Sequence, residues 1–188
     1  MTGRPTVGVL LAAGHSRRWG PDDKLLAQVR GRPLVSHAAA ILTRAPVDRR
    51  AAVVRNPRVA ALLEGMALLA PDGADQSASL RAAVAWARSL DAGRLLVLLG
   101  DMPAVTEATV AALVSRCGDR PAAVLYPDGR AGAPGCFPAS RYAALAARAG
   151  DRGAGAGATD LLADAVHVRA TPAELADVDR PQDLAAGD

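Results

Sequence analysis

Apolar residues follow two alternating rhythms along this chain: short unbroken runs, and stretches in which they return every third or fourth position. Thr6 to Ala12 (TVGVLLA) is a continuous run that reads as a strand covered on both faces. Leu34, Val35, Ala38, Ile41 and Leu42 then recur at helical spacing behind a Gly31-Arg32-Pro33 turn, with Pro33 suited to a first helical turn. Arg50 to Arg55 (RAAVVR) predicts a second strand, a helix starts near Pro57, and Met66 to Ala70 (MALLA) predicts a short third strand. Ser77 or Ser79 is placed to cap a helix buried through Leu80, Ala83, Val84, Ala87 and Leu90. Strand four is Leu95 to Leu99, Thr106 caps a helix running to about Arg116, and Ala122 to Tyr126 is another strand. Pro138 and Gly150 bracket a further helix in start and stop order. Val166 to Arg169 and Ala173 to Val178 read as edge elements before a short terminal helix from Pro181.

This alternation predicts an α/β chain: one three-layer α/β/α domain over residues 1–188, with a mostly parallel sheet between two helical layers. A length of 188 residues suits one domain with a real core. No repeat recurs at solenoid periods. Gly150 to Ala158 (GDRGAGAGA) is the one low-complexity stretch and reads as a loop, because too little chain follows it to form a second domain.

Composition narrows the function classes. At 51% hydrophobic and 22% charged the chain lies in the ordinary globular range. Its longest apolar runs break within about ten residues, against the roughly 20 needed to span a bilayer, so no membrane association is expected. The first apolar run ends in Gly14 and Arg17 instead of a cleavage site, which predicts a cytoplasmic protein without a signal peptide. A net charge of +3 is spread along the chain and aromatics make up 3%, so the clustered basic and stacking surface of a nucleic-acid binder is not expected. Cys117 and Cys136 lie in no CxxC pattern and have no nearby His, which predicts two reduced structural thiols.

Two segments carry candidate chemistry. Leu10 to Lys24 (LLAAGHSRRWGPDDK) leaves the first strand through Ala12, Ala13 and Gly14, small residues that let a ligand approach the backbone N–H groups. Arg18 and Lys24 add a guanidinium fork and an ammonium suited to a polyphosphate. A Walker loop does not fit, since five residues, not four, separate Gly14 from Gly20 and Pro21 follows, and no GxGxxG is present. The second segment, Leu95 to Pro103 (LLVLLGDMP), sets Asp101 at a strand's carboxyl end, where open parallel sheets bind ligands. A carboxylate there suits Mg²⁺, which needs only one or two protein ligands beside water and phosphate. His15, His37, His167, Trp19, Tyr126 and Tyr142 show no pattern that demands chemistry.

LAAGHSRRWG with Lys24, LLGDMP, and DVDRPQDL from Asp177 to Leu184 together resemble the MobA-like NTP transferases. Gln76 to Arg81 (QSASLR), Gly132 to Pro134 before Phe137, and Gly150 to Gly153 before Leu161 resemble the cytidylyltransferase, MocA-like branch. The resemblance runs from Val7 to Leu184 and implies a nucleotide-diphospho-sugar transferase type of Rossmann-like fold. It implies a Mg²⁺-dependent transfer of a nucleotide, from CTP first and GTP second, to a phosphorylated small-molecule acceptor such as molybdopterin, with release of pyrophosphate. A molybdoenzyme or its chaperone is the implied protein partner. Leu11, Ala12, Ala13 and Gly14 correspond to the base-reading loop, Ser77 and Ser79 to a base or ribose contact, and Arg18 and Lys24 to the triphosphate contacts. Asp101 corresponds to the metal ligand and Asp179 to a second metal-side carboxylate. Gly132 to Pro134 and Gly150 to Gly153 correspond to the acceptor side. Arg180 and Gln182 replace the Thr and Glu of the family's DIDTPEDL, which keeps Asp177 open as an alternative to Asp179. Transfer to a sugar or polyol phosphate, and nucleotide binding without turnover, are the alternative functions.

Overall fold

The computed structural model of the chain describes residues 3–14, 19, 22–73, 75–148 and 161–186. The elements are β1 (Thr6–Ala12), a 3-10 turn (Lys24–Leu26), a two-residue hairpin of β2 (Gln28–Val29) and β3 (Arg32–Pro33), and α1 (Leu34–Arg44). They continue with β4 (Arg49–Val54), α2 (Pro57–Ala60), β5 (Ala67–Leu69), α3 (Gln76–Ser89), β6 (Arg94–Leu99), α4 (Glu107–Arg116) and β7 (Ala122–Leu125). Then come β8 (Ala131–Pro138), a 3-10 turn (Ala139–Arg141), α5 (Tyr142–Ala146), β9 (Val166–Arg169) and a closing 3-10 turn (Pro181–Ala186).

Seven strands form one sheet in the order β5-β4-β1-β6-β8-β7-β9. All neighbours are parallel except β8, which runs antiparallel to both β6 and β7. Unbroken apolar runs make the central strands because both faces are covered. Leu10, Ala12, Ala52, Leu96 and Leu98 face a core shared with α1 and α4, while Val7, Val9, Ala51, Leu95 and Val97 face one shared with α3 and α5. The chain winds outward from β1 through β4 and β5 on one side, and through β6 on the other. The strand order therefore reverses at the β1–β6 boundary, where ligands of open α/β sheets bind.

Four local expectations are corrected. Asp75, not Ser77 or Ser79, caps α3, its carboxylate accepting from the Ala78 N–H at 3.0 Å. Pro33 is the residue before α1 instead of its first member. The helix expected after Pro138 is shorter, a 3-10 turn followed by five α-helical residues, and its expected stop at Gly150 lies outside the described residues. Ala173 to Val178, expected as an edge element, is turn and coil.

β8 was hidden by its composition. AGAPGCFP carries two glycines and two prolines, yet all eight residues are buried in the sheet. The ladder with β7 steps from Ala123↔Gly135 to Val124↔Gly132, so Ala133 and Pro134 form a bulge in which no ladder bond is asked of the proline.

Candidate active site

The tips of β1 and β6 meet at Leu11 and Leu99, and the Gly100 N–H donates to the Leu11 carbonyl at 3.0 Å. A Cβ on Gly100 would stand 3.2 Å from that carbonyl and 3.4 Å from Leu25 Cδ2, so this crowded exit admits glycine best. Asp101 follows immediately, and its own carbonyl accepts from the Val178 N–H at 2.9 Å. Its position is thus set by the central sheet and by a strap arriving from the chain's end.

Lys24 is fixed from the other side. Asp23 caps the 3-10 turn by accepting from the Leu25 N–H at 3.0 Å, and its second oxygen accepts from Asn56 Nδ2 at 3.0 Å. Lys24 Nζ, on a side chain only 11% exposed, donates to Asp101 Oδ2 at 2.7 Å and to Asp179 Oδ1 at 3.0 Å. Burial alone would lower its pKa, but the charges and hydrogen bonds of Asp101 and Asp179 outweigh burial and hold the ammonium above its ordinary value. Lys24, Asp101 and Asp179 thus come together from the beginning, middle and end of the chain.

Asp179 is held by its backbone. Its carbonyl accepts from Trp19 Nε1 at 3.0 Å, and the Asp183 carboxylate accepts from the N–H groups of Asp179 and Arg180 at 2.9 and 2.7 Å. Asp177 stays outside the pair that shares Lys24. Desolvation, then the negative charges of Asp179 and Asp101, push its carboxyl above the usual range. Upstream, partial desolvation of Glu174 is outweighed by hydrogen bonds from Thr106, Thr109 and Thr171, which pull its pKa down to about 2.

Leu11, Ala12, Ala13 and Gly14 run from the tip of β1, with Gly14 exposed and the Ala13 carbonyl accepting from Arg55 Nε at 3.3 Å. Ser77 and Ser79 lie buried in the first turns of α3, and the Ser77 hydroxyl is already engaged, donating to Asp75 Oδ2 at 2.7 Å and accepting from Arg81 at 2.8 Å. Arg18 lies outside the described residues, as do His15, Arg17 and Gly150 to Gly153. Gly132 to Pro134 opens β8 beside the tip of β6.

Two contributors escaped the sequence reading. The Tyr126 hydroxyl donates to the Ala133 carbonyl at 2.7 Å, and a Cβ on Gly132 would stand 2.9 Å from its ring. Its hydroxyl thus braces β8, and desolvation, then the nearby charges of Asp177 and Asp101, raise its phenol pKa. Asn56, which steadies Asp23, is the second. Both partnerships depend on folding; only the placement of Tyr126 at the end of an expected strand was visible beforehand.

The residues present fit a divalent cation. Two carboxylates from distant segments already converge on one positive group, and a third carboxylate, Asp177, is raised by desolvation and then by the negative charges of Asp179 and Asp101. Among the described residues no group of three or more His, Cys, Asp or Glu is arranged as a metal cage. Mg²⁺ does not require one, because phosphate and water complete its shell.

A sheet whose order reverses beside a glycine exit, with a lysine and paired carboxylates at that crevice, belongs with the nucleotidyltransferases of the nucleotide-diphospho-sugar type. Residues 8–168 match the MobA-like NTP transferase domain, and the chain belongs to that family. Asp177 and Asp179 lie beyond the matched span, so their part in the site is read from the fold. The chain is 33% identical over 128 residues to the bifunctional protein GlmU of Sphingopyxis alaskensis. That match covers 64% of this chain but only 28% of the relative, so the chain spans less than a third of that protein's length. Rv0371c of Mycobacterium tuberculosis H37Rv is similar in structure at a TM-score of 0.79, with 27% identity over 99% of this chain and 98% of that one. A structure of the same protein in complex with manganese matches at a TM-score of 0.72, with 23% identity over 97% and 96%. A nucleotidyl transferase from Methanothermobacter matches at a TM-score of 0.81, with 22% identity over 98% and 96%.

Proposed function

We propose that the chain transfers a nucleotide from an NTP, CTP first and GTP second, to a phosphorylated small-molecule acceptor, with molybdopterin the first candidate, releasing pyrophosphate. The observation that carries this reading is the meeting of Lys24, Asp101 and Asp179 at the reversal point of the sheet. Transfer of this kind needs an acceptor oxygen aligned with the α-phosphorus and neutralised charge on the leaving oxygens, and no nucleophilic side chain. Leu11 to Gly14 hold the base side, and Arg18 and Lys24 donate to the triphosphate. Asp101 and Asp179 would hold Mg²⁺, which when bound supplies charge neutralisation at the phosphates. Gly132 to Pro134, braced by Tyr126, present the acceptor. Manganese in a structure of Rv0371c agrees with a divalent-cation requirement.

The test is a matrix of the four NTPs against molybdopterin and a panel of sugar and polyol phosphates with Mg²⁺, with products read by mass. The expected result is a cytidine-containing product and pyrophosphate from the molybdopterin well. A product only with a sugar or polyol phosphate replaces the acceptor, and nucleotide-dependent rises in Tm without any product identify a binding protein without turnover.

A further inference from the structure

The segment that delivers Asp179 has no ladder to shape it. Residues 170–180 are turn and coil, shaped by a few backbone bonds within the 171–176 turn and by side-chain hydrogen bonds. Glu174 is their hub. Its Oε1 accepts from the hydroxyls of Thr106 at 2.6 Å and Thr109 at 2.7 Å, and its Oε2 accepts from the Thr171 N–H at 2.9 Å and hydroxyl at 3.1 Å. Thr106 is the capping residue of α4, the helix that follows Asp101. Glu174 therefore ties the strap to the same stretch of chain that leaves the sheet through Asp101. Past this tie, Leu175 and Val178 are buried, and the Val178 N–H reaches the Asp101 carbonyl.

We propose that Glu174 is a positioning residue for the cation site: by stapling the 171–174 turn to the start of α4 it sets where Asp179 stands relative to Asp101. The inference rests on the reading above, in which those two aspartates hold the divalent ion. α4 has its own cap, Thr106 Oγ1 accepting from the Thr109 N–H at 3.2 Å, so the staple is not needed to begin the helix. Its effect falls on the strap, because a carboxylate on an untethered segment must lose conformational freedom each time it binds an ion. Partners outside a metal's own ligands typically govern affinity by 10- to 100-fold. Glu174 acts one step further out and belongs at the low end of that range.

The experiment measures Mn²⁺ affinity from the free-ion electron paramagnetic resonance signal, with Mn²⁺ as the only added ligand so that neither base preference nor a chelating phosphate plays a part. Full-length wild type, Glu174→Ala, Glu174→Gln and Asp179→Asn are compared at a temperature where circular dichroism shows each folded. Glu174→Ala is expected to weaken Mn²⁺ binding about tenfold. Glu174→Gln is expected to fall between it and wild type, since an amide oxygen still accepts from Thr106 and Thr109 but the amide nitrogen cannot accept from Thr171. A purely structural glutamate would lower Tm and leave the affinity alone. Affinity within about twofold of wild type in Glu174→Ala, with Asp179→Asn weakened, overturns the inference and leaves the site reading intact. If Asp179→Asn also binds Mn²⁺ like wild type, the carboxylate pair is not the cation site and both readings fall. Should Glu174→Ala fail to fold, the same twofold criterion is applied to Glu174→Gln.

Discussion

Asp101 and Asp179 bring the same charge to the same lysine by opposite constructions. Asp101 extends from a central strand whose Leu95, Leu96 and Val97 are fully buried, so a parallel ladder and two cores fix it. Asp179 ends a strap without regular structure, held by hydrogen bonds that Trp19 and Val178 donate and that Asp183 and, further back, Glu174 accept. Their exposure follows: 23% for the Asp101 side chain and 45% for Asp179. One half of the site is fixed by the ladder of the sheet, and the other by the burial of Leu175 and Val178 together with a few polar contacts. Asp179 itself, past the last buried residue of the strap, is the more adjustable of the two carboxylates.

The sharpest way to break the comparison is to remove each carboxylate. Asp101→Ala is expected to lower turnover on the order of 10²- to 10³-fold, and Asp179→Asn about tenfold, because the more exposed group is better replaced by water. Steady-state rates with a saturating NTP decide the order, and a reversed order would mean that the strap, not the sheet, carries the main charge. Next comes the scaffold. Leu96→Ala, one residue layer inside the sheet, is expected to cost about 3 kcal/mol of stability by denaturant titration.

Acid treats the two halves differently. Glu174 is held at about 2 against an ordinary 4.5. A depressed carboxyl contributes stability that is complete above the unfolded value and is lost as pH falls through the folded one. The expected loss is ~1–2 kcal/mol once solvent screening is discounted, accruing below about pH 4.5 and finished near pH 2. The difference in Tm between wild type and Glu174→Gln, followed from pH 6 to about pH 2, should shrink across that window; a constant difference would remove the staple from the acid response. The smallest effect is expected from Trp19→Phe, which gives up one hydrogen bond to the Asp179 carbonyl, worth about 1 kcal/mol, and leaves the sheet untouched. A change in Asp179-dependent Mn²⁺ binding with Tm lowered by only a few degrees is the sign to look for.

The sheet half was the more legible in sequence. β1 and β6 announce themselves because burial on both faces writes an uninterrupted apolar run into local sequence, and Thr106 stands directly before the helix it caps. The glycine exit and Asp101 were readable from the same run. The strap was not. Asp179 was located by family resemblance, and only the structure shows that it, and not Asp177, is the carboxylate hydrogen-bonded to Lys24 beside Asp101. Thr171-x-x-Glu174 has the spacing of a capping box, but nothing local signals that Glu174 also meets Thr106 and Thr109, 68 and 65 residues away. β8 was missed for a different reason: prolines and glycines argue against a central strand unless a bulge excuses them, and the bulge exists only once β7 is alongside.

The tie between Trp19 and the Asp179 carbonyl also gives the molecule an optical reporter. The chain has two tryptophans, and the other, Trp86, packs on the α3 side of the sheet, away from the core that Trp19 adjoins. With Trp86 replaced by phenylalanine, emission would come from a single indole whose N–H rests on the backbone of the strap. Its colour and lifetime would then follow the seating of Asp179 as nucleotide and cation arrive, in real time and without an attached dye.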